Sequence, residues 1–195
     1  MTGKTHVAIG IAAALTITQG QSLENQLIMV VTTALSSLFP DLDHPNSKLN
    51  QKILFIKNKF FKTLFYLAFA ALLFYAYIST EIPALLFLSI ASGLIGISVH
   101  RGFTHSLLGL LSYSLLVKFI ASEYNIEYVY RGFVLGFTLH LIADFFTSQG
   151  IKLFYPVKKN ISSPLVIKTN NSAEKLIFLI LSIYSLILIF RNLQL

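Results

Sequence analysis

The chain has 195 residues, of which 55% are hydrophobic and only 12% charged, and its formal net charge is +7. Soluble domains carry about 25% charged residues, so we expect much of this apolar surface to face lipid rather than one oversized core. The sequence contains no cysteine, which excludes disulfides, thiolate metal ligands and cysteine nucleophiles. We therefore predict one membrane-embedded domain, residues 1–195, with no separate soluble domain and no removable signal peptide.

Apolar runs along the chain predict about seven transmembrane helices. They lie at about residues 6–18, 27–39, 60–79, 82–99, 106–120, 132–147 and 176–190. The first two are short for roughly 30 Å of hydrocarbon, so a tilted or re-entrant pair, closed by a turn at residues 19–22, is also consistent with them. The predicted fold class is all-α, a polytopic transmembrane helical bundle.

The five histidines and three aspartates of the chain fall into four short clusters at the edges of these apolar runs. The clusters are His6; Asp41, Asp43 and His44; His100 and His105; and His140 with Asp144. Because successive helices alternate across the bilayer, all four clusters return to the side of the amino terminus, called the near side here. A buried polar group is costly unless it is partnered, so this coincidence predicts one shared metal site at the near end.

The basic residues indicate which side of the membrane the near side faces. Of the 15 lysines and arginines, only Lys118, Arg131 and Arg191 fall on the far side. By the positive-inside rule the near side is cytoplasmic, which predicts a multi-pass plasma (inner) membrane protein with its site facing the cytoplasm. The near-side lysines also suit anionic lipid or a phosphate-bearing substrate, although setting the topology alone explains them equally well.

The segment between Pro40 and Pro45 places Asp41, Asp43 and His44 together. The two prolines break the helix and hold three candidate ligands in a short, stiff, non-helical segment. An ordinary solvated turn with a helix cap is the alternative.

His140 and Asp144 are four residues apart in an apolar helix, so their side chains leave the same face and can bind one cation. A His–Asp hydrogen bond without metal would satisfy the same pair. Thr147 extends this face.

His100 and His105 flank a glycine-containing bend, with Arg101 beside them and Ser106 or Thr104 as the cap of the next helix. Arg101 suits a clamp for a phosphoryl oxygen, or else it only snorkels or pairs with an aspartate.

The number and type of candidate ligands predict the metal and the chemistry. Eight candidates exceed the four of a closed zinc site, so either several of them only support the ligands or the site holds two or more ions. We favour two divalent cations about 3.5–4 Å apart that activate water against a phosphoester. Nitrogen and oxygen ligands suit zinc, which we favour, or manganese or iron. We predict a hydrolase for a lipid or lipid-linked phosphoester, with Arg101, Asp43 and His105 as catalytic residues and no nucleic-acid partner.

Two non-enzymatic functions remain alternatives: a membrane protein with a structural metal site, and a divalent-metal transporter. Transporters place their ionisable ligands near the bilayer midplane, whereas here every cluster lies towards one end. This asymmetry favours an enzyme or a structural site.

The clusters, in this order, resemble those of the YdjM-type family of inner-membrane proteins classed as metal-dependent hydrolases. The resemblance covers roughly residues 1–150 and rests on Thr5-His6 with Gly10, on residues 40–45 and 100–106, and on His140-x-x-x-Asp144. That family is distantly similar to zinc-dependent phospholipase C and single-strand nucleases. The resemblance implies phosphoester hydrolysis, and it implies metal ligation by His6, Asp41, Asp43, His44, His105, His140 and Asp144. Those enzymes carry further His or Glu ligands downstream, where this chain has only Glu174.

Overall fold

The structure, a computed structural model, describes residues 1–193, in which all regular secondary structure is helical. Two 3₁₀ turns, Pro40–Asp43 and Phe103–His105, lie among the α-helices. The α-helices in chain order are α1 Gly3–Ile17, α2 Leu23–Ser36, α3 Asn50–Ile53, α4 Lys59–Thr80, α5 Pro83–Ile97, α6 Leu107–Glu123, α7 Glu127–Phe145 and α8 Ser172–Leu193. The predicted all-α fold class is confirmed.

Each of the seven predicted apolar runs coincides with a helix, with the ends shifted by a few residues. The eighth helix, α3, was not predicted, because four residues are too few to show a helical hydrophobic period. The proline-flanked segment was predicted to be non-helical, and it forms the 3₁₀ turn Pro40–Asp43. Helix α2 ends at Ser36, ahead of Pro40, as expected for a chain approaching a proline.

Side-chain caps fix several helix starts. Ser106 Oγ accepts a hydrogen bond from Gly109 N at 3.0 Å, so the predicted cap of this helix is confirmed and Ser106 has a structural role. Asn58 Oδ1 accepts from Phe61 N at 2.8 Å in the same way at the start of α4.

Two helices among the described residues have the length and apolar composition to cross a membrane. They are Lys59–Thr80 and Ser172–Asn192, whereas Gly3–Ile17 and Pro83–Ile97 are apolar but shorter. Helix α4 exposes large apolar side chains such as Phe60, at 70%, and Leu72, at 61%. Such an outer surface suits lipid contact, and a seven-crossing topology stays a prediction.

The chain divides into two compact units by its internal contacts. Unit 1 comprises residues 1–39, 128–151 and 159 onward, and unit 2 comprises residues 40–127 and 152–158. Unit 1 therefore contains α1, α2, α8 and nearly all of α7. Unit 2 contains α3 to α6 and both 3₁₀ turns.

Unit 1 is packed through glycines that bring helix backbones close together. A Cβ at Gly10 would clash with Ser37 Oγ, so the predicted close approach at this glycine is confirmed. A Cβ at Gly136 would clash with Ser36 Oγ and with the carbonyl oxygen of Thr33. Helices α1 and α7 can therefore approach the α2 segment only because these positions lack a side chain.

In unit 2, the end of α5 is held by a buried lysine. Lys62 is only 3% exposed, and its Nζ donates to the carbonyl oxygens of Ile95 at 3.0 Å and Ser98 at 2.8 Å. These carbonyls close the last turn of α5, where a cation is stabilised by the helix dipole. In the sequence, Lys62 is one of the near-side basic residues that predict the topology. The structure shows that it also fixes the end of α5, just before His100.

Candidate metal centres

The structure brings six of the eight candidate ligands together in two groups of three. We call His6, His140 and Asp144 the closed group, and Asp41, His100 and His105 the open group. Within each group the candidate ligand atoms lie within 4.8 Å of one another. The closed group belongs to unit 1 and the open group to unit 2.

The closed group is fully buried. The side chains of His6, His140 and Asp144 are 1%, 0% and 4% exposed. His6 Nε2 lies 3.2 Å from Asp144 Oδ1, and His140 Nε2 lies 3.6 Å from Asp144 Oδ2. The two imidazole rings stack with centroids 4.1 Å apart. Both histidines therefore present Nε2 to the same carboxylate.

The hydrogen bonds of the closed group suit metal ligation. His140 Nδ1 is 2.7 Å from the carbonyl oxygen of Ser37, and because a carbonyl can only accept, Nδ1 carries the hydrogen. In the neutral form of the ring, Nε2 would then present its lone pair towards Asp144. Neither ring nitrogen of His6 has a partner with hydrogen-bond geometry, although both are buried. A cation bound between His6 and Asp144 would give the buried His6 imidazole a partner.

The amino-terminal segment contacts the same carboxylate, so its amine would compete with a cation for Asp144. The terminal amine of Met1 lies 2.7 Å from Asp144 Oδ1. Glu174 Oε1 accepts from Thr2 N at 2.6 Å and from Thr2 Oγ1 at 2.8 Å, which holds this segment in place. In the sequence, Glu174 is only a lone acid downstream of the clusters. Its signal was its place in the first turn of an apolar helix, where a carboxylate needs a partner.

The open group is partly accessible: Asp41 and His105 lie on the two 3₁₀ turns of unit 2, and His100 lies in the turn just before the second of them. The side chains of Asp41 and His100 are 27% and 32% exposed, whereas His105 is completely buried. His105 Nε2 lies 3.6 Å from Asp41 Oδ1. A catalytic metal site typically has three protein ligands, since a fourth position must stay open for water or substrate, and a partly exposed group of three is compatible with that.

Asp43 lies outside the open group and orients its two histidines. Asp43 Oδ1 accepts from His100 Nδ1 at 2.8 Å, which leaves His100 Nε2 available as a ligand. Asp43 Oδ2 lies 3.3 Å from His105 Nδ1 and accepts from Thr104 Oγ1 and from Arg101 N. A carboxylate behind a ligating imidazole fixes its tautomer and raises its basicity. The geometry therefore fits a positioning role for Asp43, which the sequence analysis had grouped with the ligands.

Charge in this cluster is strongly coupled. Burial alone would raise the pKa of Asp43, but the charge of His105 and hydrogen bonds from both histidines hold that pKa well below its usual range. Burial would lower the pKa of His105, yet Asp43 and Asp41 outweigh it and raise that pKa to about 10. Without a metal, His105 is therefore a cation held between two carboxylates, and a metal would compete with its proton.

His44 lies beside the open group without belonging to it. Its Nδ1 accepts from Asn46 N at 3.2 Å, within its own turn, and its ring meets that of His100 edge-on at 4.4 Å. Burial, followed by the charge of His100, lowers the pKa of His44. Its metal ligation remains a prediction.

Arg101 has a backbone φ of +57°, which turns its amide towards Asp43 Oδ2 at 3.1 Å. The predicted phosphate clamp by its guanidinium stays a prediction. Thr104, considered in the sequence only as a helix cap, instead donates to Asp43. A single sequence does not show which acceptor a backbone amide or a threonine hydroxyl will meet, so neither contact was predicted.

The loop that carries Asp41, Asp43 and His44 is anchored by a buried asparagine. Asn50 Nδ2 donates to the carbonyl oxygens of Leu42 at 2.9 Å and His44 at 2.8 Å, and Asn50 Oδ1 accepts from Tyr66 Oη at 2.7 Å. Sequence reasoning missed these residues. The available signal was the i, i+4 spacing of Lys62 and Tyr66, which places two polar groups on one face of an apolar helix.

We expect Tyr66→Phe to destabilise the protein by about 1–3 kcal/mol, because it leaves the buried Asn50 Oδ1 without its donor. Thermal unfolding followed by circular dichroism in detergent micelles measures the effect. Tyr75→Phe is the matched control on the same helix, since Tyr75 is 69% exposed and should tolerate the change. Equal midpoints for the two variants would contradict the anchoring role of Tyr66.

Comparison with known proteins supplies the family. The model of the YdjM inner membrane protein family matches residues 1–194. The chain belongs to this family. It is 29% identical to the protein YvsG of Bacillus subtilis (strain 168) over 181 residues, which cover 91% of this chain and 87% of YvsG. It is 26% identical to the inner membrane protein YdjM of Escherichia coli (strain K12) over 162 residues, covering 80% of this chain and 64% of that protein. The same figures hold for YdjM of Shigella flexneri. No solved structure matches.

Family membership confirms the resemblance to YdjM and the expectation of an inner membrane protein. The groups of histidine and aspartate give the predicted metal centre a structural basis, and the identity and number of the metal ions stay predictions. Membership carries no information on hydrolysis, on zinc, or on similarity to phospholipase C and the nucleases.

Proposed function

We propose that the protein is a multi-pass, metal-dependent hydrolase of the inner membrane that cleaves a phosphoester of a lipid or lipid-linked substrate at the open group. The observation that carries the proposal is the open group itself: two histidines and an aspartate converge, Asp43 contacts both imidazoles, and two of the three ligand side chains are partly exposed. The basic residues favour a cytoplasmic position for this end.

Exposure distinguishes the two groups. A substrate must reach a catalytic metal, and only the open group has side chains that are about a quarter to a third exposed. The closed group has no such access in the described residues. We therefore assign hydrolysis to the open group, with zinc as the favoured ion.

The residues of unit 2 would contribute three functions. Asp41, His100 and His105 would bind the cation, which lowers the pKa of water and polarises a phosphoryl oxygen when it is bound. Asp43 keeps both imidazoles in the orientation that ligation requires. Arg101 would hold negative charge that develops on the phosphoryl group.

A structural metal site is the second candidate, and burial of the closed group favours it there. A closed site ties together residues from distant parts of the chain, here α1 and α7, and contributes directly to folding. If this were the protein's only metal chemistry, its function would be non-enzymatic.

Metal analysis and turnover of the full-length protein test the proposal together. We expect wild type, loaded with zinc or manganese in mixed micelles, to hydrolyse at least one member of a panel of phospholipids and polyprenyl phosphates. His100→Ala should lower metal content and abolish turnover. His140→Ala should lower metal content by a similar amount while retaining turnover of the protein that stays folded.

The outcomes separate the candidates. Turnover lost in His140→Ala and kept in His100→Ala would contradict the assignment of hydrolysis to the open group. Metal bound without turnover of any phosphoester in wild type would leave the structural-site function. Turnover of soluble nucleotides with lipids untouched would overturn the lipid substrate.

A further inference from the structure

A cavity lies beside the open group's loop, entirely within unit 2. It has a volume of about 490 Å³ and is formed where the end of α5 and the turn after it meet the segment 152–158. Val99 and Gly102 both line it, and these residues flank His100 and Arg101 in the chain. The cavity therefore opens next to the turn that presents one of the candidate ligands.

The lining of the cavity is amphiphilic. Leu94, Ile97 and Phe103 provide an apolar wall. Lys152, Lys158 and Tyr155, from the segment 152–158, add polar and basic groups to the lining. None of the described residues that line the cavity is acidic. The segment is held against the start of α6 by the hydrogen bond from Leu107 N to Leu153 O, at 2.9 Å.

The surroundings of the cavity point to the bilayer as the source of its ligand. Ile97 and Val99 are each 66% exposed, so the apolar wall continues on to an uncovered apolar surface. An amphiphile whose anionic head group meets two lysines and whose chain follows α5 matches both the basic and the apolar residues of this lining. A volume of this size is typical of small-ligand sites, so the cavity has room for a lipid head group and the first carbons of one acyl chain.

We propose that this cavity binds an anionic glycerophospholipid, with the phosphate at Lys152 and Lys158 and one acyl chain along Leu94 and Ile97. The inference deepens the proposed function and rests on it for the fate of the lipid, because it supplies the site that would present the phosphoester to the open group. Binding itself requires neither a metal nor hydrolysis.

Photo-crosslinking tests the proposal directly. The probe is phosphatidylglycerol with a diazirine in one acyl chain, added to the full-length protein in dodecyl maltoside micelles with EDTA present. We expect the label in peptides that contain residues 94–103 or 152–158. The double variant Lys152→Gln/Lys158→Gln should reduce labelling roughly tenfold, because each lysine near an anionic head group contributes to its attraction.

A matched pair of lysines controls for overall charge. Lys52 and Lys57 lie in unit 2, are exposed and do not line the cavity. Lys52→Gln/Lys57→Gln removes the same charge and should keep labelling within about twofold of wild type. Leu94→Trp, which fills the cavity, should lose labelling, whereas Ile90→Trp on the exposed part of the same helix should keep it.

Three results would overturn the proposal. Labelling could fall equally in the two lysine-pair variants, or the label could appear only in other peptides. Free glycerol phosphate could also compete with the lipid probe as effectively as unlabelled lipid does, which would indicate a soluble anion as the ligand. Failure of the proposed function is distinguishable. Labelling retained in His100→Ala, with no turnover in wild type, would leave the lipid site standing and remove hydrolysis. Turnover that is unchanged in Lys152→Gln/Lys158→Gln, with no labelling of wild type, would remove the lipid site alone.

Discussion

Replacing Asp43 with alanine should destabilise the metal-free protein by about 3–5 kcal/mol, the cost of breaking a buried ion pair from one side. Asp43 is 2% exposed, and His105 beside it is completely buried with a raised pKa. Without the carboxylate, a buried imidazolium loses a compensating charge, and Thr104 and the amide of Arg101 lose their acceptor. In a chain of this length the unfolding midpoint should fall by about 10 °C.

Asp41→Ala is the control for this prediction. Asp41 belongs to the open group but is 27% exposed, so its loss in EDTA should cost no more than about 1 kcal/mol. Asp41→Ala and Asp43→Ala should both bind less zinc, and the loss for Asp43→Ala should be about 10- to 100-fold in affinity, as expected for a residue that orients the ligands. Circular dichroism and zinc titration measure the two effects. A larger destabilisation from Asp41→Ala than from Asp43→Ala would contradict the positioning role of Asp43.

Replacing Gly136 with alanine should be among the most disruptive single changes in unit 1, at more than about 3 kcal/mol. The added methyl group would collide with Ser36 Oγ and the Thr33 carbonyl oxygen, neither of which is the end of a long flexible side chain. Helix α7 would have to move away from α2. His140 lies one turn after Gly136, so its hydrogen bond to the Ser37 carbonyl, 2.7 Å long, should be lost with that movement.

Gly93→Ala is the matched control, because a Cβ there meets its nearest neighbour, Ala70 Cβ, at 3.9 Å, an ordinary contact. Gly93→Ala should be neutral or slightly stabilising, since alanine favours the helix. Thermal unfolding and the zinc content of each purified variant measure both effects. If Gly136→Ala unfolds at the wild-type temperature and keeps its zinc, the close packing of α7 on α2 does not hold the closed group.

Much of the local structure of this protein follows from the sequence. The apolar runs predict seven of the eight α-helices, because helix formation in such segments depends on a periodicity and composition that are visible locally. Pro40 ends the preceding helix and Ser106 caps the following one for equally local reasons. Membership of an inner membrane protein family agrees with the composition.

The sequence also singled out the candidate ligands, since histidine and aspartate at the edges of apolar runs need partners wherever they end up. It could not assign those partners. Helix parity predicts one shared site with eight ligands, which stays a prediction. Within the units, the structure brings His6, His140 and Asp144 together in one and Asp41, His100 and His105 together in the other.

Only the tertiary structure shows which atoms meet within those clusters. Whether Asp43 ligates a metal or orients histidines depends on which atoms lie within about 3 Å of its carboxylate, and His100, Arg101 and Thr104 come from a turn more than fifty residues away. The anchoring of Asn50 by Tyr66 likewise depends on contacts across the fold. Composition and periodicity describe what each residue needs, whereas packing between distant segments determines which neighbour meets that need.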